Sequence, residues 1–202
     1  MTQRNSEGVA CIILAAGMST RFGSPKQLAE IGGRKLIQLA IEAANGSDAE
    51  QVFIVVGANS SKVVEEIELG RAQLLLNKDF KGGISTSIRV GVENLPRDCS
   101  GAVIMVADQP KLTSAHINLL ITKFLEDQQQ NKKTKVVALS YQGRARNPVL
   151  VPRMLFDKLL QLEGDSGARE LVRNSPDLEL IDIEDPTVFL DVDTKESISG
   201  LV

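Results

Sequence analysis

Tryptophan is absent from this sequence, tyrosine and histidine occur once each, and aromatic residues make up only 3% of the 202 positions. A single histidine, His116, rules out any centre that needs several imidazole ligands, and it alone would have to serve a Ser-His-Asp triad. Because it follows Thr113 and Ser114 at an expected helix start, a surface or capping role fits it better. The two cysteines, Cys11 and Cys99, show no CxxC spacing and sit in or beside apolar segments, which reads as reduced, buried thiols rather than a disulfide or metal clip. Scarce aromatics and a net charge of −3 leave neither the stacking rings nor the basic field of a nucleic-acid surface. Also missing is any apolar run near the roughly 18 residues that suggest a membrane span. The polar opening MTQRNSEG runs straight into an apolar segment, without the hydrophobic region of a secretory signal. A cytoplasmic protein with no nucleic-acid or membrane partner is expected.

What is present is a hydrophobic content of 43%, ample for a buried core in one domain spanning residues 1–202. β-Branched runs at Val9–Leu14, Val52–Val56, Ala72–Leu76, Ala102–Val106 and Val136–Leu139 alternate with helical patterns at Lys35–Ala44, Ser61–Leu69, Ser85–Asn94 and Ser114–Gln129. Such alternation predicts an α/β fold with a mostly parallel, Rossmann-like sheet flanked by helices. Ser60 or Ser61 and Thr113 are expected N-caps, and Gly70 a helix terminator. Farther on, Asn147–Val151 reads as a strand, Met154–Leu162 and Ser166–Asn174 as helices, and Leu178–Ile183 and Val188–Asp191 as two short closing strands. No internal repeat or low-complexity linker interrupts the chain.

Charge is unevenly spread. From Gly8 to Ala29 the only charged residues are Arg21 and Lys26, whereas Asp177 to Asp193 holds seven acids and no Lys or Arg. The first stretch suits an anion and the second a cation. In open α/β sheets ligands gather beyond the carboxyl ends of the parallel strands, and three segments fall there: residues 15–26, 107–110 and Asp193. Small residues from Ala15 to Gly23 let backbone N–H groups approach phosphate oxygens, with Arg21 and Lys26 to neutralise them. The spacing is neither a Walker A loop nor GxGxxG, and no ribose-binding acid stands where a nicotinamide fold would place one, which argues against a dehydrogenase. Asp108 follows Val103–Val106, where helix capping competes with Mg²⁺ binding. Strand alternation would put Asp191 and Asp193 on one face. Mg²⁺ is commonly held by one or two carboxylates plus substrate phosphates, so two strand-end acids beside a cationic loop suit metal-assisted phosphoryl transfer.

The segment Leu14-Ala15-Ala16-Gly17-Met18-Ser19-Thr20-Arg21-Phe22-Gly23-Ser24-Pro25-Lys26 resembles the LAAGxSxRxGxxK loop of the MobA-like nucleotidyltransferases, related to molybdenum cofactor guanylyl- and cytidylyltransferases. The resemblance continues through residues 77–89, Asp108-Gln109-Pro110, Arg146-Asn147-Pro148, residues 164–169 and Asp191–Thr194, covering essentially the whole chain. Leu-Ala-Ala-Gly in the first loop and Gly-Ile-Ser-Thr-Ser at 83–87 are similar to the CTP:molybdopterin cytidylyltransferase branch, although proteins of purine catabolism and other NTP-transferase-like proteins share both. Ala29-Glu30 departs from the family, where hydrophobic residues are usual.

The resemblance implies a glycosyltransferase-A-like sheet and a nucleotide held at Leu14, Ala15, Ala16, Gly17, Arg21, Lys26, Ser85 and Ser87. It further implies that Arg21 contacts the outer phosphates, that Lys26 approaches the α-phosphate, and that Asp108 and Asp193 bind Mg²⁺. Catalysis would thus rest on Arg21, Lys26 and Asp108. Capping competes with anion binding for Ser85 and Ser87, as it does for Asp165 and Ser166. Together with Asn147, those last two are the expected acceptor contacts. The implied substrates are CTP and molybdopterin, with pyrophosphate as product and a molybdoenzyme or chaperone as recipient. GTP, a sugar-phosphate acceptor and a non-catalytic cofactor carrier are the alternatives.

Overall fold

Seven consecutive buried residues, Val9 to Ala15, form the first strand, β1, and account for the architecture around it. A strand apolar on both faces must be covered on both. Val9, Cys11, Ile13 and Ala15 face a cluster that takes in Ile37, Ile41, Ile117, Leu120 and Phe124. The intervening Ala10, Ile12 and Leu14 face a second cluster with Ile88, Val92, Phe156, Leu159 and Leu171. Period-two alternation thus divides one strand between two helical layers.

The structure, a computed structural model, describes residues 8–19, 22–130, 135–175 and 177–198. After β1 come a 3₁₀ turn (Lys26–Leu28), a small hairpin of β2 (Glu30–Ile31) and β3 (Arg34–Lys35), α1 (Leu36–Asn45), β4 (Gln51–Val56), α2 (Ser60–Glu65) and β5 (Gln73–Leu76). Next are a 3₁₀ turn (Phe80–Gly82), α3 (Ile84–Glu93), β6 (Gly101–Val106), α4 (Ser114–Gln129), β7 (Val136–Tyr141) and β8 (Arg144–Pro152). The chain continues through a 3₁₀ turn (Arg153–Leu155), α5 (Phe156–Leu160), α6 (Ala168–Arg173), β9 (Leu178–Asp182), a 3₁₀ turn (Pro186–Phe189) and α7 (Lys195–Ile198).

Seven strands form one sheet in the order β5-β4-β1-β6-β8-β7-β9. Every pairing is parallel except those of β8, which runs antiparallel to both β6 and β7. The mostly parallel, helix-flanked α/β sheet read from the sequence is therefore present. The reversed strand has a consequence for the site. Because β8 runs against β6, its early residues lie at the carboxyl end of β6, on the same side as the loop after β1. The β7–β8 register shifts between Ala138 and Leu139, opposite Asn147-Pro148. A proline cannot donate to the ladder, and such an irregularity re-aims neighbouring side chains.

Three sequence-based expectations need correction. Val188–Asp191 is not a strand: Pro186 begins a 3₁₀ turn, and the Asp185 carboxylate accepts from the Thr187 amide and hydroxyl, both at 2.9 Å. Local side-chain bonding of this kind competes with ladder formation. The helix expected at Ser61–Leu69 starts one residue earlier and stops at Glu65, and its N-cap is Asn59 in the left-handed region (φ 58°), not a serine. Gly70 (φ 56°) accordingly lies in the turn beyond it rather than terminating it. Thr113, by contrast, caps α4 in a capping box with His116, whose Nδ1 accepts from the Thr113 amide at 3.1 Å. Cys11 and Cys99 are buried free thiols. No helix among the described residues is long and apolar enough to cross a membrane.

Candidate active site

Where β1 ends, the chain cannot continue as a strand because its next carbonyls are claimed from the side. Gln27, 5% exposed, donates Nε2 to the carbonyls of Ala15 (3.0 Å) and Gly17 (2.9 Å). Its Oε1 accepts from the Ser19 hydroxyl at 3.2 Å, and Ser19 Oγ in turn accepts from the Lys26 amide at 3.0 Å. One buried amide thus turns residues 15–19 into a rigid arc, and the same bonds hold Lys26 in place. Gly57 lets a neighbouring loop close on this arc, since a Cβ there would lie 2.9 Å from that of Ala16 and 2.7 Å from that of Phe80.

The Lys26 ammonium lies between two carboxylates, 2.8 Å from Asp108 Oδ2 and 3.2 Å from Asp193 Oδ1. Burial disfavours its charge, but Asp108 and Asp193 outweigh that and hold its pKa above the usual lysine value. Asp108 arrives from the end of β6. Asp193 is brought in because the Val192 amide donates to the Asp108 carbonyl at 2.9 Å while the Val192 side chain is fully buried against Phe22 and Leu36.

Two cavities meet here. The first, about 400 Å³, is lined by Leu14, Ala15, Ala16 and Gly17 of the arc, and by Lys26, Ser87, Asp108 and Asp193. Its volume lies within the range of small-molecule sites. The second, about 480 Å³, is lined by Asn147, Asp165, Ser166, Arg169, Arg173 and Asp191. Leu14, Ile84, Val106, Asp108 and Asp165 border both. The structure therefore brings together the nucleotide, metal and acceptor residues expected from the sequence, with two exceptions. Arg21 lies outside the described residues. Ser85 lines neither cavity: it is buried, and its amide donates to the Gly164 carbonyl at 3.1 Å. Ser87, whose hydroxyl accepts from Asn77 Nδ2 at 3.0 Å, is the serine at the nucleotide-side cavity. Neither serine caps α3, whose N-cap is Gly83.

Asp191 and Asp193, expected on one face, diverge because residues 190–193 are not a strand. Asp193 faces the first cavity and Asp191 the second, where its carboxylate accepts from Gln109 Nε2 at 3.0 Å. Burial, followed by the nearby charge of Asp108, raises the Asp191 pKa.

The acids fit a divalent cation. Their oxygens already converge on one ammonium, and Asp108 Oδ1 is buried with no hydrogen-bond partner among the described residues. Among those residues no group of three or more His, Cys, Asp or Glu could hold a metal. The donor set is a carboxylate pair that leaves coordination positions to substrate, as Mg²⁺ prefers. Sequence reading gave no role to Gln27, and took in Asn77, Phe80 and Lys81 only as part of the matching segment 77–89, where Asn77 holds Ser87 and the other two line the first cavity. A buried glutamine beside a lysine carries no signal until its two carbonyl partners are seen.

The model of the MobA-like NTP transferase domain matches residues 11–179. Nicotine blue oxidoreductase of Paenarthrobacter nicotinovorans is 27% identical over 204 residues, covering 96% of each chain. The bifunctional protein GlmU of Micrococcus luteus is 34% identical over 130 residues, or 60% of this chain but only 26% of GlmU. Among solved structures, a homologue of Mycobacterium tuberculosis Rv0371c from Mycobacterium sp. strain JC1 superposes with a TM-score of 0.82 and 26% identity, covering 96% of this chain and 95% of that one. A nucleotidyl transferase from Methanothermobacter thermautotroptrophicus shares the fold, with a TM-score of 0.80 at 16% identity over 96% of this chain and 95% of its own. Since the family model takes in the arc after β1, the end of β6 and the α6 wall, the chain belongs to the MobA-like NTP transferase domain family and is a nucleotidyltransferase.

Proposed function

We propose that the enzyme moves CMP from CTP onto the terminal phosphate of molybdopterin, releasing pyrophosphate. The observation that carries this reading is the meeting of two cavities at Asp108, with Lys26 and Asp193 in hydrogen-bonding reach of one another. The nucleotide occupies the first cavity, with its phosphates along the arc of residues 15–17. The acceptor enters from the second. An acceptor phosphate oxygen attacks the α-phosphorus in line, the new P–O–P bond forms, and the bond to the bridging oxygen of the β-phosphate breaks, so that the electron pair leaves with pyrophosphate.

The acceptor is already an anion and needs no protein base, which fits a site without histidine. Asp108 and Asp193 would hold Mg²⁺, which when bound neutralises charge on the phosphates. Lys26 contributes a positioned ammonium that a phosphate oxygen draws away from the two acids. The arc supplies oriented amides whose direction Gln27 maintains. Cytosine preference and the molybdopterin acceptor rest on the resemblance of Leu14–Gly17 and Gly83–Ser87 to the cytidylyltransferase branch.

The test is a panel of CTP, GTP, ATP and UTP with Mg²⁺ and metal-loaded molybdopterin, scored by pyrophosphate release. Acceptor-dependent release selective for CTP supports the proposal, and release with GTP alone moves the protein to the guanylyl branch. Release with sugar phosphates but not molybdopterin changes the acceptor. The end-to-end match to a relative named nicotine blue oxidoreductase supports a second reading, in which the first cavity serves a redox reaction. Oxidation of NADH or NADPH without any pyrophosphate release would favour it.

A further inference from the structure

The second cavity presents an electrostatic problem. Four carboxylates line it, those of Asp108, Asp165, Glu170 and Asp191. Left alone they would repel any phosphate brought to the reaction centre. The cations opposing them are Arg169 and Arg173, one helical turn apart on α6 and therefore on one face of that helix. Both are exposed, and neither forms an ion pair among the described residues. Arg169 lines the same cavity as Asp191, and its charge opposes the upward shift of that carboxylate's pKa.

Position matters as much as charge. The turn before α6 is anchored to α3 by the bond from the Ser85 amide to the Gly164 carbonyl. Helix α6 itself packs inward through the buried Ala168, Leu171 and Val172, which leaves positions 169 and 173 directed to the cavity side. Two guanidiniums one helical turn apart on one wall of the cavity supply donors of the kind that bind a phosphate in bidentate fashion.

We propose that Arg169 and Arg173 form the recognition site for the anionic group of the acceptor. The assignment rests on the transferase reading only for the direction of transfer. The anion site itself follows from the cavity and its charges. The two arginines would hold the phosphate near the boundary that Asp108 shares with the first cavity.

The test uses the full chain saturated, in Mg²⁺, with a CTP analogue whose α,β-bridge is a methylene, so that the first cavity is filled and cannot turn over. Inorganic phosphate is then titrated by calorimetry into wild type, Arg169→Gln, Arg173→Gln and the corresponding lysine variants. Affinity for the analogue is measured separately. Loss of a charge-assisted contact is expected to weaken phosphate binding by about tenfold or more in the glutamine variants. The lysine variants should recover part of it, and analogue affinity should stay at the wild-type value. Phosphate affinity unchanged by both glutamine substitutions would overturn the proposal, as would an equal loss of analogue affinity. If wild type binds phosphate through these arginines yet releases no pyrophosphate with any acceptor, the anion site stands and the transferase reading falls.

Discussion

At the residue scale, three side chains do different work in the same few ångströms. Asp108 offers one oxygen to Lys26 and keeps the other buried without a hydrogen-bond partner among the described residues. An isosteric Asp108→Asn change preserves packing and removes the charge. Turnover should fall by about 10³-fold or more while the thermal midpoint stays near wild type. Full activity in that variant would remove the metal assignment. Gln27 has a different kind of importance. Replacing it with leucine keeps the volume but strips the donor from two carbonyls, at a cost of about 1–3 kcal/mol. Denaturant titration should show that loss, and KM for the nucleotide should rise more than kcat falls. A variant with wild-type stability and KM would mean that the arc holds its shape without Gln27. Lys26 and Asp108 were legible in the sequence because a lone cation in a small-residue loop and a lone acid after an apolar strand are conspicuous. Gln27 was not, because its function exists only through carbonyls ten and twelve positions away.

At the element scale, the sheet wrote itself plainly and the irregular connections did not. Runs such as Val9–Leu14 and Ala102–Val106 are apolar at every position, a pattern only a doubly covered strand needs, and they appear within a residue or two of where they were read. Val188–Asp191 is apolar over its first three residues, but Pro186 and the Asp185–Thr187 bonds commit the chain to a turn before any ladder can form. The antiparallel direction of β8 was equally invisible, since strand composition does not encode direction.

The junction of α3 with the turn at 163–167 shows how elements build the site. Gly83 sits at φ 93°, and a Cβ there would lie 2.2 Å from the Gly164 carbonyl oxygen. Backbone cannot yield as a flexible side chain does. Gly83→Ala should therefore push that turn outward and cost roughly 1–3 kcal/mol from the strained φ. It should also widen the boundary at Asp165 between the two cavities. KM for the acceptor is expected to rise well beyond KM for the nucleotide. Equal changes in both would place the effect on the whole site instead of the turn.

At the scale of the whole molecule, sheet order does the assembling. With β1 and β6 adjacent at the centre, the loops that follow them meet, and the reversal of β8 carries Asn147 to the same rim. The segregation of charge along the chain becomes a spatial arrangement in this way. The cationic segment after β1 and the acidic segment near the end of the described chain meet in the Lys26–Asp193 pair. Two cations alone between residues 8 and 29, and seven acids with no cation between 177 and 193, would be hard to explain if those segments stayed apart. Their contact is what the proposed binding of a metal–triphosphate would use.

The central claim is transfer of the nucleoside monophosphate itself, and isotope position tests it most directly. The enzyme would be run with Mg²⁺ and a phosphomonoester acceptor, once with CTP labelled at the α-phosphorus and once at the γ-phosphorus. The account requires the α label to appear in the acceptor product and the γ label in pyrophosphate. Transfer of the γ label to the acceptor, or retention of both labels in unreacted CTP while the acceptor is consumed, would contradict it.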